Sequence, residues 1–154
     1  MLLRPFLNDA TSCASYLFGC GTHAKLALVD PHAELVDDYL ATAAALGAPI
    51  VAVFETHLQA DHVSGLPALV ARAGATAYLP ADTGVEFEHV ALADSDVVEL
   101  GNTVVTAMAT PGHAPAHHAC LLDWLRARPS PAARSDRCGR VCRGSARRDA
   151  TTAG

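Results

Sequence analysis

The stretch ETHLQADHVSG, Glu55 to Gly65, crowds His57, Gln59, Asp61 and His62 into one short loop directly after the apolar run PIVAVF. Imidazole nitrogens and a carboxylate at such spacings can converge on a single ion. Metal catalysis needs only a few such protein ligands, plus an open position for water or substrate. A further metal-type residue stands far along the chain, where TPGHAPAHHA leaves His113 on a turn forced by Pro111 and Gly112. A lone H-x3-D-H also fits surface histidines or histidines satisfied in a core. Placement at the mouth of a sheet, before a helix, with His113 on a second strand-end loop, favours the metal. His117 and His118 are adjacent, so in a strand they face opposite sides and at most one can approach the site; the plainer reading leaves one packed and one solvated. His23, His32 and His89 have no partners in sequence and read as surface or structural positions.

The elements that must position these residues are legible from periodicity. SYLFG and KLALVD are short apolar runs joined by CGTH, which predicts a hairpin. GCGTHAK lacks the spacing and the Lys-Ser/Thr ending of a phosphate loop and reads as a plain turn. In AELVDDYLATAAALG, the apolar positions Leu35, Val36, Tyr39, Leu40, Ala43 and Leu46 have helical spacing, and Gly47 ends the helix. PIVAVFE is a continuous apolar run of the kind buried on both faces of a sheet, and it delivers Thr56 and His57 to its C-terminal end, where α/β sheets bind ligands. Ser64 can cap the following helix, GLPALVARAG, with Pro67 in the tolerated first turn and Gly74 closing it. TAYLP returns to the sheet. From Glu86 to Ala109 the chain reads as mostly antiparallel strand, with Gly101-Asn102 as its hairpin turn.

Composition divides the 154 residues in two. Residues 1–119 carry three basic and thirteen acidic side chains, whereas 120–154 carry eight arginines and three aspartates, within an overall formal charge of −5. The second part shows no sustained periodicity and is rich in Arg, Ala, Ser, Gly and Pro; such a segment buries too little apolar surface to offset its ordering entropy. The expected boundary is therefore 1–119 as a folded unit and 120–154 as a disordered tail, or one resembling GC-rich coding sequence read out of frame. The arginines come without a recognition motif on an otherwise acidic chain, so no nucleic-acid partner is expected. No export signal opens the sequence and no apolar run is long enough to span a bilayer, which predicts a cytoplasmic protein without membrane contact. The five cysteines form no disulfide framework; Cys13 and Cys20 read as buried thiols.

THLQADHVSG resembles the H-x-H-x-D-H signature of the metallo-β-lactamase fold superfamily, and ATPGHAPAHHA resembles its next histidine-bearing loop. RPFLNDATSCASYLFG and VDPHAELVDDYL are most similar to the persulfide dioxygenase branch, which also lies close to the hydroxyacylglutathione hydrolases. The resemblance covers residues 1 to about 119. It implies an αββα sandwich of α/β (α+β) class, of which this chain would hold the first half. The face that the second sheet should cover would then be bare and prone to association.

The resemblance also implies the site. His57, His113, Asp61 and His62 are the candidate metal-holding residues, and Asp61 is the candidate catalytic carboxylate. Gln59 stands where the motif carries its second histidine. A neutral amide is a poor replacement for imidazole on zinc, so a single ferrous iron, held by two histidines and a carboxylate, is favoured over Zn(II). Gln59 would then orient a bound water or ligand through hydrogen bonds, while Asp61 and His62, which help hold the second metal in dizinc members, would stand around the iron and support its ligands. The substrate implied is a small thiol derivative such as glutathione persulfide. Thioester hydrolysis on zinc is the alternative reaction, and a metal-binding remnant without turnover the non-enzymatic one. The carboxylate expected well after His113, in a Gly-Asp setting, is missing: Asp123, Asp136 and Asp149 are the candidates by position, and none has that setting.

Overall fold

The computed structural model describes residues 2–9, 12–58, 62–124 and 140–142. Strands β1 (Leu2–Asn8), β2 (Cys13–Cys20) and β3 (Lys25–Val29) form an antiparallel meander, and β4 (Ile50–Phe54), β5 (Thr76–Pro80) and β6 (Val90–Leu92) extend it in parallel to β3 as one six-stranded sheet. The parallel step from β3 to β4 is made by helix α1 (Val36–Ala45), and that from β4 to β5 by α2 (Leu66–Ala73). Residues 86–109 were expected to be mostly antiparallel. That holds for the hairpin of β7 (Val97–Leu100) and β8 (Thr103–Ala109), but β6 pairs parallel to β5 and belongs to the first sheet. A three-residue strand with two exposed positions carries too little alternation to reveal its partner.

Side chains alternate between the two faces of each strand, and the faces have different covers. Leu17, Leu28 and Val53 point to one side, where they pack with Val36 and Tyr39 of α1 and Leu66 and Leu69 of α2. Phe18, Ala27, Val29, Ala52 and Phe54 point to the other. There they meet Leu100, Val105, Ala107, Cys120 and Leu122 from a second, antiparallel sheet of β7, β8, β9 (His118–Trp124) and β10 (Arg140–Cys142). The layering is that of an αββα sandwich as far as the second sheet. The expectation of a bare inner face is thereby corrected: the second sheet begins within this chain and covers the central strands.

The expected boundary at residue 119 falls inside β9, which pairs with β8 from His118 against Ala109 to Trp124 against Thr103. Cys120 and Leu122 are buried there. Their apolar alternation is too short to stand out from the arginine-rich segment that follows. The remainder of 120–154 apart from β10 lies outside the described residues. No helix among the described residues is long and apolar enough to cross a membrane.

Gly74 takes the left-handed conformation that closes α2, and Pro67 lies in its first turn, as expected. The cap differs: Gly65 precedes the helix as its N-cap, and Ser64, one residue earlier, accepts from the Leu66 amide at 3.0 Å. Gly101 has φ of +66°, the value a two-residue hairpin requires at its first central position, and a Cβ there would come within 2.8 Å of the His23 Cβ.

If β9 belongs to the core, Leu122→Ala should lower stability by about 2–5 kcal/mol, as for other buried leucines. Urea denaturation followed by circular dichroism measures it; an unchanged midpoint would place β9 outside the cooperative unit.

Candidate metal centre

The parallel strands all end at one rim, and β3 and β4 leave it through Asp30 and Thr56. Asp30 sits at φ of +50° with its amide donating to the Phe54 carbonyl at 2.9 Å. That backbone turn swings its carboxylate across to the next strand. Asp30 Oδ1 accepts from the Thr56 amide at 2.7 Å, and Oδ2 accepts from the Thr56 hydroxyl at 2.8 Å. The hydroxyl proton is thereby committed to Asp30. The 2.9 Å contact between Thr56 Oγ1 and His57 Nδ1 must then run with the ring as donor. The chain of bonds fixes His57 as the Nδ1–H tautomer, with the lone pair on Nε2, which is the state an imidazole needs to bind a metal.

The second sheet closes on this rim from the other side. The His118 amide donates to the Thr56 carbonyl at 2.8 Å, tying the start of β9 to the residue that precedes His57. The loop between β8 and β9 is pinned at its neck by the Thr110 amide on the His117 carbonyl, at 2.8 Å. Within these anchors the His57 and His113 rings lie edge to face, with centroids 4.9 Å apart. Two imidazoles sharing one ion through bonds of ~2 Å have centroids roughly 4.5–5.5 Å apart, so this pair fits a common metal. His57 is buried, at 7% exposure, and His113 is exposed. One ligand is thus held rigidly and the other faces solvent.

Sequence reasoning allowed one of His117 and His118 to approach the site but favoured one packed and one solvated, and did not single out His117. Its ring lies 5.0 Å from that of His57 and 6.2 Å from that of His113. The parity argument assumed a strand, but β9 begins at His118, and His117 is the last residue of the loop. The spacing His113-x3-His117 within a Pro- and Gly-containing turn was the available signal. His118, by contrast, starts the strand; burial, outweighing the nearby carboxylate of Asp94, holds its pKa below the ordinary value.

His62 stacks on His32 with centroids 3.9 Å apart. The loop that carries it is bridged to the segment after β3 by Ala33 N–H to the Val63 carbonyl at 2.9 Å and Gly65 N–H to the Pro31 carbonyl at 2.7 Å. Gly65 is required for that approach, since a Cβ would sit 2.8 Å from the His32 carbonyl oxygen. His32 is fully buried and structural, its amide donating to the Tyr39 hydroxyl at 3.1 Å. Gln59 and Asp61 lie outside the described residues. Among those described, no group of three or more His, Cys, Asp or Glu side chains is closed onto one point. Asp123 is at the opposite end of β9 from His118, about 16 Å away at strand spacing, so it is no candidate for the late carboxylate.

Behind the histidines lies a second buried carboxyl, Glu55, which accepts a short hydrogen bond from the Ser64 hydroxyl. Burial, reinforced by the neighbouring Asp30, pushes its pKa well above the usual carboxylate range, with Ser64 pulling the other way. Glu55 therefore keeps its proton more readily than an exposed glutamate. That limits the negative charge stored beneath the rim.

Residues 8–124 match the family model described as the metallo-beta-lactamase superfamily. A probable metallo-hydrolase of Burkholderia pseudomallei is 30% identical, the match covering 75% of this chain and 50% of that protein. A hydroxyacylglutathione hydrolase of Methylobacterium nodulans is 32% identical over 75% of this chain and 45% of its own length. Among solved structures, ETHE1 from Myxococcus xanthus is similar at a TM-score of 0.76 and 33% identity, covering 79% of this chain and 54% of that one. A metallo-beta-lactamase from Staphylococcus aureus reaches 0.72 at 28% identity, covering 79% and 37%. The chain thus spans about half the length of the curated relatives it matches.

Thr56→Val keeps the shape of the side chain but removes the link from Asp30 to His57. Stability should fall by about 1–3 kcal/mol, the cost of unsatisfied buried polar groups. The His57 ring should become a mixture of tautomers, read from its nitrogen chemical shifts. A ring that stays wholly Nδ1–H in this variant would show that Thr56 does not set it.

Proposed function

Since the chain belongs to the metallo-β-lactamase superfamily, we propose that it is built to bind one catalytic metal at the sheet rim, favouring Fe(II), and to oxidise a small thiol derivative such as glutathione persulfide. The observation that carries this reading is the meeting of His57 and His113, remote in sequence, at a ring separation of 4.9 Å. Its support is the donor chemistry around them: His57 is held in the metal-binding tautomer by Thr56 and Asp30, and His113 stands open to solvent.

In this reading His57 and His113 hold the ion, the carboxylate of the set would come from later in the chain than His113, and Asp61 and His62 support the ligands from around the ion, His62 being held by its stack on His32. Gln59 orients a bound water or the substrate by hydrogen bonding. A bound ferrous ion would supply positions for dioxygen and a thiolate, whereas a bound zinc would lower the pKa of water so that hydroxide is available to attack a thioester. The protein's own part is to fix one imidazole and to leave the other side of the site accessible.

The second reading, zinc-dependent hydrolysis of a hydroxyacylglutathione, is favoured by the names of the Methylobacterium relatives. Gln59 is the residue that weighs against it, because an amide does not complete a set of imidazoles on zinc.

Elemental analysis of the purified chain, with oxygen uptake in the presence of glutathione persulfide, decides between them. The expected result is about one iron per chain and oxygen consumption. His57→Ala and His113→Ala should each lose more than the ~10–100-fold in metal affinity typical of outer partners. Hydrolysis of a hydroxyacylglutathione thioester by a zinc-loaded chain, without oxygen uptake, would replace the first reading by the second. Metal affinity untouched by both substitutions would remove the two together.

A further inference from the structure

We propose that His117 is a third metal-binding imidazole of this chain, supplying the imidazole that Gln59 cannot; the inference rests on the reading of His57 and His113 as ligands. Three observations converge on it. The His117 ring is 5.0 Å from His57, within the roughly 4.5–5.5 Å expected of imidazoles on one ion. It occupies the same loop as His113, whose ring is 6.2 Å away. The triangle is therefore tight on the two sides that meet at the buried His57 and open only between two residues of one loop.

The third observation is the anchoring of the ring. Thr110 Oγ1 lies 2.7 Å from His117 Nδ1, just as Thr56 Oγ1 lies 2.9 Å from His57 Nδ1. A threonine hydroxyl on Nδ1 directs Nε2 toward the ion, which is the outer support that metal-bound histidines commonly have. The backbone bonds from Thr110 to His117 and from His118 to Thr56, both 2.8 Å, hold the two supported rings in one frame. The open side lies between His113 and His117, in the turn where Pro111, Gly112, His113 and Pro115 are exposed. The resulting set of three neutral imidazoles is drawn from two loops rather than from the H-x-H pair; it suits a borderline divalent ion and offsets the deficit that Gln59 leaves for zinc.

The test uses the full 154-residue chain, stripped of metal and titrated with Co(II), whose visible absorption reports ligand number and geometry. Wild-type protein should bind Co(II), and X-ray absorption at the cobalt edge should count three imidazoles. His117→Ala should weaken Co(II) binding at least tenfold and change the visible spectrum, while His118→Ala should do neither. Thr110→Val, which keeps the imidazole and removes its anchor, should give a smaller loss. Adding Gln59→His to His117→Ala should restore affinity, an outcome that a merely structural role for His117 would not give. Wild-type affinity and spectrum in His117→Ala, with binding abolished in His57→Ala, would overturn this proposal and leave the two-histidine site standing. A wild-type chain that binds no Co(II) at micromolar concentration would end both. Because the absorption edge is read on the unsubstituted protein, a count of two imidazoles overturns the proposal even if the variants fail to fold.

Discussion

The grip of Asp30 on Thr56 is the constraint from which the rim is built. A carboxylate at the end of one parallel strand takes both the amide and the hydroxyl of the residue ending the next. Charge-assisted bonds of this kind are stronger than neutral ones, and here they act where backbone groups would otherwise be left buried without partners. The amide and hydroxyl of Thr56 are spoken for by Asp30, and its carbonyl receives the His118 amide. One threonine thus joins two parallel strands, the second sheet and the orientation of His57.

The packing beneath this junction explains why it can be rigid. β4 is apolar on both faces because each has a different layer to meet: Val53 faces the helices, while Ala52 and Phe54 face the second sheet. Phe54 stacks on Tyr78 at 4.8 Å, directly beneath the point where the chain turns into Glu55 and Thr56. Such a strand cannot slip by one residue without exchanging its two faces. The position of His57 at the rim is therefore set by the core. His113, on a turn outside it, is not held in this way.

Much of the fold was legible before any coordinates. The helix after Asp30-Pro31, the buried strand ahead of the motif and the Gly101-Asn102 hairpin are strong local signals, and each lies where periodicity put it. The rings of His57 and His113 also stand close together, as the convergence of strand-end loops in such sheets suggests. What sequence hid was non-local or short. The partner of β6 depends on which edge of the sheet is vacant, and the reach of β9 past residue 119 depends on burial of Cys120 and Leu122 by Phe18 and its neighbours across the sandwich. His117 was obscured because its placement turns on a boundary of one residue: alternation in a strand would have set it and His118 on opposite faces without saying which faced the site, whereas in the loop it is free of that rule.

The bond between Thr56 and His118 has a consequence for folding. It links groups remote along the polypeptide, and its formation requires the two sheets to have docked; the histidines meet only after that long loop has closed. Any ion captured there binds the docked state and not the open chain, so its binding energy adds to the cohesion of the sandwich by mass action. The cation would act as a clasp between sheets as well as a reagent, and its supply would govern how long the assembled form persists.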